Sequence, residues 1–340
     1  MSKKITISVD AMGGENAPKK CIEGVAIFIK KNKFNDYFFQ LHGDEKQILT
    51  ELKRNNLEKF ENLQVIHSNT IVSDKESPLT SIKNSKESSM WNAIEAQVKS
   101  SADISLSAGN TGVMLVISRM ILKMINKVKK PALAALWPNQ KNFNVVLDLG
   151  ANIECDESNL VEFAEMGSAL YKSIFPDDTP KTALLNIGEE EIKGTETLKK
   201  AFSKLKVISQ NKNLIFNGYI EPNKIMLGDS NVIITDGFTG NIALKTAEGT
   251  AKFITDNLKK YLMSNLYSKI SLIFSYFSLK KFKNKLDPRK YNGAIFLGLN
   301  GPVVKSHGAT DSLGFYYSID LCYKIVRGNL IDKIKSNLDE

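Results

Sequence analysis

The sequence predicts an α/β protein: a mainly parallel sheet covered by helices on both faces. Three observations carry this. Short apolar runs with strand character alternate with helical patterns along the chain. Glycine-rich turns repeatedly follow those runs and open helices, and in open α/β sheets such turns lie where ligands bind. The 340 residues suffice for one large domain, arranged as two lobes around a cleft, with a sizeable core.

In chain order, Ile5 to Asp10 reads as a buried strand ending in the turn Gly13-Gly14, and a helix covers Pro18 to Lys31. Tyr37 to Gly43 and Leu63 to Ser68 are strands with a polar helix between them. Thr70 to Lys86 is polar and reads as a loop. A helix from Ser88 to Lys99, capped by Ser88 or Ser89, precedes the strand Asp103 to Ser107 and an apolar helix from Thr111. Further strands are Asn144 to Leu149, Thr182 to Ile187, Leu214 to Ile220 and Val232 to Thr235. Ala294 to Leu299 and Val303 to Lys305 are late strands, and a last helix takes in Ser312 to Val326.

The formal net charge of +9 favours anionic partners: nucleic acid, anionic lipid, an acidic protein or phosphate. Cys21, Cys155 and Cys322 are too widely spaced for a metal cluster. Their odd number, with no apolar segment of signal length at the start, fits a cytoplasmic protein. No run reaches the roughly 18 apolar residues that span a bilayer.

Two turns match an anion site. SAGNTG, Ser107 to Gly112, follows a strand and opens a helix whose first amides and dipole favour an anion. Ser107, Asn110 and Thr111 add side-chain donors, although the same pattern also serves as a capped helix start. DGFTGN, Asp236 to Asn241, repeats the arrangement, with Thr239 and Asn241 as donors or Thr239 as a cap. DLGAN places Asp148 and Asn152 after a strand, and LNIGEEEIKG places Asn186 before three carboxylates. Glu189, Glu190 and Glu191 are expected to be solvated or to pair with Lys193. With no histidine nearby, no metal is expected, and nothing calls for another cofactor. KSHGATD brings Lys305, His307 and a glycine together after a strand; His42 and His67 lack such company and read as structural. A serine elbow, a P-loop and a clean GxGxxG after the first strand are all missing. Of the cysteines, only Cys155, close to DLGAN, is worth testing as a nucleophile.

Taken together, DAMGGENAP, SSM, ADISLSAGNTG, LDLGAN, EFAEMG, LLNIGEEEIKG, ITDGFTGNIALKTAEG and VVKSHGATD occur in an order that resembles the bacterial phosphate acyltransferase family of phospholipid synthesis. The resemblance runs from about Ile5 to Val326. It implies a three-layer α/β/α fold akin to isopropylmalate dehydrogenases and phosphate acetyltransferases, and a homodimer. It also implies an acyl carrier protein donor and a free acyl phosphate product, consumed by a membrane glycerol-3-phosphate acyltransferase. The chain departs from the family at Glu15, usually Asp, at Tyr219, often Asn, and in Lys83 to Glu87, typically richer in Arg and Lys.

The chemistry fits these residue types. Phosphate near neutral pH is already partly a dianion and a thiolate is a tolerable leaving group, so positioning and a charge cradle suffice. Asn110, Thr111, Thr239 and Asn241 are expected to bind phosphate or the thioester oxygen. Lys305 balances charge, and His307 is the proton donor or oxyanion partner. Asp10, Asp148 and Asp236 orient the donors.

From Asn257 to Leu286 no acidic residue occurs. Leu258, Leu262, Leu266, Ile270, Phe274 and Phe277 fall at helical spacing beside seven lysines. Such a stripe suits a helix lying on anionic lipid, so the protein is expected to be peripheral at the inner face of the membrane. A core or dimer-interface helix is the competing reading. Scattered Arg54, Arg119, Arg289 and Arg327 argue against a decarboxylating dehydrogenase, which needs an arginine cluster. A coenzyme A-dependent phosphate acetyltransferase, a membrane scaffold and a nucleic-acid binder are the other rivals. No zinc finger or RNP motif supports nucleic acid.

Overall fold

The computed structural model describes residues 4–73, 85–211 and 214–339. Its elements are β1 (Ile5–Asp10), α1 (Lys19–Lys31), β2 (Tyr37–Gly43), α2 (Glu45–Arg54), β3 (Leu63–His67), α3 (Ser89–Val98) and β4 (Ile104–Ser107). Then come α4 (Thr111–Leu122), β5 (Ala132–Pro138), β6 (Phe143–Leu147), α5 (Glu157–Ile174), β7 (Lys181–Leu185), α6 (Glu196–Asn211), β8 (Ile215–Ile220) and β9 (Val232–Ile234). The chain closes with α7 (Gly237–Leu262), α8 (Leu266–Lys285), β10 (Ala294–Leu297), β11 (Val303–Lys305), α9 (Ser312–Arg327) and α10 (Leu330–Asp339). Most of the polar stretch expected to be a loop, together with Lys83 and Asn84, lies outside the described residues.

All eleven strands among the described residues form one sheet in the order β3-β2-β1-β4-β11-β10-β5-β6-β9-β7-β8. Pairing is parallel from β3 to β11 and again from β6 to β8. The three antiparallel pairings, β11 with β10, β10 with β5 and β5 with β6, all lie in the middle. Three reversals set the two parallel halves in opposite senses, so the carboxyl ends of β1, β4 and β11 leave by one edge of the sheet. Those of β6, β7 and β9 leave by the other.

Ile7, Val9, Phe39, Leu41, Ile104 and Leu106 are fully buried because helices cover both faces. In the first half, α1 and α9 pack together on one face, with α3 and α4 on the other. In the second half the two-residue alternation of β6 and β9 divides the faces. Val145, Leu147, Val232 and Ile234 join the core that includes α5, while Val146 and Ile233 pack toward Ala243, Leu244 and Ala247 of α7. Gly167 of EFAEMG lets α5 approach closely, since a Cβ there would stand 2.7 Å from Val232 Cγ1. β5 escaped the sequence reading because prolines bracket it, at Pro131 and Pro138, and proline usually demotes a strand. The helices α5, α6 and α10 also have no counterpart in the elements named from the sequence.

The basic segment 257–286 is not one helix. It takes in the end of α7, a turn at residues 263–265 and all of α8, which Asn265 caps by accepting from Ser268 N at 2.8 Å. Leu266 stands at the start of α8, and Ile270, Phe274 and Phe277 are 45%, 85% and 78% exposed. Tyr267, Ile273 and Tyr276 are exposed as well, so the apolar side chains spread round much of the helix instead of forming one stripe. Charge concentrates along the axis: Lys280, Lys281, Lys283 and Lys285 all lie in the half that returns to the body, while apolar residues run from the turn as far as Phe282.

Candidate active site

At the first edge, three turns interlock. Asp10 ends β1, is buried, and accepts from Ser107 Oγ at 2.6 Å and from Met12 N at 3.2 Å. Ser107, at the end of β4, accepts from Gly109 N at 3.0 Å. Gly13 seals against this pair: a Cβ there would stand 2.7 Å from both Asp10 Oδ2 and Gly109 N. Gly14 has φ +76° and would meet Ala108 O at 2.8 Å and Gly308 O at 2.9 Å, so only glycine fits the crossing. The β11 turn joins through Ser306 N to Ser107 O (2.8 Å) and Glu15 N to Gly308 O (3.0 Å). Glu15 thus joins the crossing through its backbone.

Lys305 Nζ reaches Ala108 O at 3.4 Å and also donates to Ser306 O. Asn110 caps α4, its side-chain oxygen accepting from Val113 N at 3.1 Å, and Thr111 and Gly112 form the exposed and half-exposed first positions of that helix. His307 is exposed. Its backbone N–H donates to Asn292 Oδ1 at 3.0 Å, and its Nδ1 accepts from Ala309 N at 3.2 Å. The neutral ring therefore carries its proton on Nε2. Partial desolvation, then Lys305, hold its pKa below the ordinary imidazole value, with Lys245 and Lys20 adding and Glu248 opposing. The arrangement joins a buried carboxylate, a helix N-terminus, a lysine and a neutral imidazole donor, which suits holding an anion beside a polarised carbonyl.

At the other edge, Asp148 is fully buried and accepts five hydrogen bonds. Oδ1 takes Leu133 N (2.9 Å), Gly150 N (3.1 Å) and Ala151 N (3.0 Å). Oδ2 takes Asn152 N and Asn152 Nδ2, both at 2.8 Å. Asn152 Nδ2 also donates to Pro131 O at 2.6 Å, and Asn241 Nδ2 to Leu149 O at 3.3 Å. Asp236 caps α7, accepting from Thr239 N and Thr239 Oγ1 at 2.8 Å each, so the threonine hydroxyl serves the cap. Asn186 closes the following loop through Lys193 O (3.2 Å) and Ile187 N (2.9 Å). Glu189 pairs with Lys224 and Glu191 with Lys206. Among the described residues no group of His, Cys, Asp and Glu could hold a metal.

The turns thus form two networks on opposite edges, not one ring around a single point. Asp10, Ser107, Asn110, Thr111, Gly112, Lys305 and His307 come together. Asp148, Asn152, Asp236, Thr239 and Asn241 form a second cluster, with Asn186 beyond it. The physical cause is the set of three antiparallel pairings, invisible in the strand-loop-helix rhythm. Helix α7 links the networks: it starts at Asp236 and carries Lys245 and Glu248 to where their charges act on His307.

A family model described as "Fatty acid synthesis protein" matches residues 5–333. A phosphate acyltransferase of Pelagibacter ubique (strain HTCC1062) is 54% identical over 338 residues, covering 99% of this chain and all of that protein. Another, of Parvibaculum lavamentivorans, is 41% identical over 344 residues, covering 100% of this chain and 93% of that protein. The chain belongs to the phosphate acyltransferase family. It is an acyltransferase. The three-layer α/β/α fold is shared with EutD phosphotransacetylase from Staphylococcus aureus (TM-score 0.63, 14% identity, 95% and 94% coverage). It is shared too with a branched-chain phosphotransacylase from Enterococcus faecalis V583 (TM-score 0.58, 14% identity, 95% and 99% coverage).

Two residues of this acyltransferase's first-edge network escaped the sequence reading. Lys20 is buried and donates from Nζ to Gly308 O. It sits on the same α1 stripe as Gly24 and Phe28, so helical periodicity placed it on the core face. Asn292 supports the histidine turn with three bonds: from His307 N, to Ser306 Oγ (2.9 Å) and to Gly314 O (2.8 Å). Nothing in the local sequence marked it. His42 Nε2 meets Ser8 Oγ at 2.9 Å, and His67 Nε2 meets Asn69 Oδ1 at 2.7 Å. Burial, then Asp148, push the half-buried Cys155 thiol up to about 11, which leaves almost no thiolate at neutral pH.

Proposed function

We propose that this acyltransferase moves a fatty acyl group from acyl carrier protein to inorganic phosphate, giving an acyl phosphate for phospholipid synthesis. The observation that carries the reading is the interlocked first edge, where Lys305, His307 and the amides opening α4 meet over buried Asp10. Phosphate is held by the Asn110–Gly112 amides and Lys305, with Ser107, Asp10 and the Gly109 amide fixing the turn. Its oxygen attacks the thioester carbon. His307 Nε2–H donates to the carbonyl oxygen as negative charge develops there, and the thiolate departs. A neutral imidazole with a low pKa suits an oxyanion partner better than an acid, since it donates without giving up its proton. In the second cluster Asp148 orients Asn152, and Asp236 sets the start of α7. Asn241 completes that network, and the lobes flank a cleft that α7 spans.

A homodimer would cover apolar side chains on α7 such as Ile242, Phe253 and Ile254, which are exposed in one chain. The α7–α8 hairpin is the membrane contact of this proposal, through Leu266, Ile270, Phe274 and Phe277. Peripheral attachment there would release the acyl phosphate beside the membrane glycerol-3-phosphate acyltransferase. Among the described residues no helix is long and apolar enough to cross a membrane.

The decisive experiment incubates palmitoyl carrier protein with phosphate and traps the product with hydroxylamine. Phosphate-dependent hydroxamate supports the reading, and its absence with active carrier protein rejects it. Flotation with anionic liposomes tests the hairpin: Phe274→Glu with Phe277→Glu should abolish it, and equal flotation of variant and wild type rejects this contact.

A further inference from the structure

A cavity of about 410 Å³ opens between the β5–β6 turn and α9, with Asn292 in its wall. Its walls come from the turn between β5 and β6, the end of α8, the short segment Pro288–Tyr291 and one side of α9. This volume falls in the range of roughly 300–1,000 Å³ typical of ligand pockets. Asn292 is part of the wall, and it is also the residue whose side chain holds His307 N and Ser306 Oγ. The cavity and the histidine turn therefore share one asparagine.

Its lining has three kinds of surface. Leu136, Phe143, Ile174 and Leu321 supply apolar contact. Gln140 and Asn142, both exposed, offer amides at the mouth. Lys141, Lys285, Lys290 and Lys324 ring it, against the single carboxylate of Asp320. Lys324 pairs with that carboxylate at 2.8 Å and Lys141 with Asp229 at 2.7 Å. Lys285 and Lys290 reach backbone carbonyls, of Gln140 and Asn284, and form no ion pair among the described residues. Lys280, Lys281 and Lys283 extend the positive surface outward along α8.

We propose that this cavity receives the phosphate-bearing, amide-and-alkyl thioester arm of the donor, and that the lysine rim docks the acidic carrier protein on which the arm is borne. This rests on the donor assigned under the proposed function. A flexible arm of alternating amide and methylene groups matches amides and apolar walls in one recess. Its phosphodiester matches Lys285 and Lys290. Asn292 ties the wall of the recess to the histidine turn, through its bonds to His307 N and Ser306 Oγ. A flat lipid surface matches the rim charge but not the recess, and free coenzyme A shares the arm but not the acidic protein.

The test uses the full chain with Lys285→Glu and Lys290→Glu together, and Lys200→Glu on α6 as a distant control. Both rim lysines are exposed, so folding is preserved. The paired variant should raise KM for acyl carrier protein about tenfold, as expected for reversing two charges facing an acidic partner, and leave KM for phosphate and the control unchanged. Fluorescence anisotropy should show holo carrier protein binding wild type more tightly than apo carrier protein, with the paired variant weakening both in a salt-dependent way. An unchanged KM and unchanged carrier affinity in the paired variant overturns the docking face while the function stands. Equal binding of holo and apo forms overturns the arm pocket. An equal rise in KM for acyl-coenzyme A assigns the rim to the arm's phosphates and overturns the carrier docking. Loss of binding to anionic vesicles with carrier affinity intact assigns the rim to lipid and overturns it too. If wild type forms no acyl phosphate from any carrier donor, the proposed function fails, and the binding arm still decides the docking face.

Discussion

Replacing Asp148 by Asn should unfold the second cluster more than it alters any chemistry. The side chain is fully buried and accepts five hydrogen bonds, three on one oxygen and two on the other. An amide keeps one oxygen, which can retain the Leu133, Gly150 and Ala151 donors. Its NH2 group then faces the two Asn152 donors, which lose their acceptor. Two half-buried donors deprived of this acceptor, at about 1 kcal/mol each because Asn152 Nδ2 keeps Pro131 O and water reaches the site, give a loss of about 2 kcal/mol. That is a large share of the roughly 5–15 kcal/mol that stabilises a typical domain. Equilibrium urea unfolding, followed by tryptophan fluorescence and circular dichroism, should show a lower midpoint with an unchanged slope. Asn152→Ala should lose less, because it removes one donor and leaves the carboxylate its backbone bonds. An unfolding free energy for Asp148→Asn within about 0.5 kcal/mol of wild type would show that these bonds do not anchor the turn, and the orienting role would fall.

Other outcomes follow from the same geometry. His307→Ala should lower turnover about a hundredfold or more, and His307→Gln, which keeps an N–H donor, should recover part of it; unchanged turnover in the alanine variant removes the residue from the mechanism. His42 is held down to about 4, by burial first and then by Lys99, so the unfolded chain takes up its proton at a higher pH than the folded one. Its contribution is present above about pH 6.5 and lost as pH falls toward 4, about 3 kcal/mol in all. Urea midpoints at pH 7, 5.5 and 4 should show this slope, and His42→Gln should flatten it. Cys155→Ser should change turnover less than about twofold, and inactivation by that replacement would restore the cysteine as a nucleophile.

The fold was largely legible because strands buried on both faces and glycine turns leave strong local signals. Ten of the eleven strands were read close to their observed positions. What stayed hidden was direction. β5 carries prolines at its ends, and without it the hairpin that reverses the second half of the sheet has no signature. DLGAN and DGFTGN therefore looked like neighbours of SAGNTG and KSHG when they leave by the opposite edge. The first-edge network was legible in Ser107, Lys305 and His307, since each sits at a strand end. Lys20 and Asn292 were not, because their contacts span nearly 300 residues in one case and a non-repetitive turn in the other. Helical spacing alone also misread α8, where polarity changes along the axis and a wheel projection hides it.

That axial polarity has a mechanical consequence. A twenty-residue helix is about 30 Å long, so α8 is a strut, greasy at its outer end and cationic where it meets the body. If the tip sinks into lipid, the struts hold the histidine turn at a fixed stand-off from the headgroups instead of pressed against them. Room then remains beneath the body for a second protein to swing in and out without detaching the enzyme. Shortening both legs of the hairpin by two turns would close that gap while keeping every atom of the first edge in place.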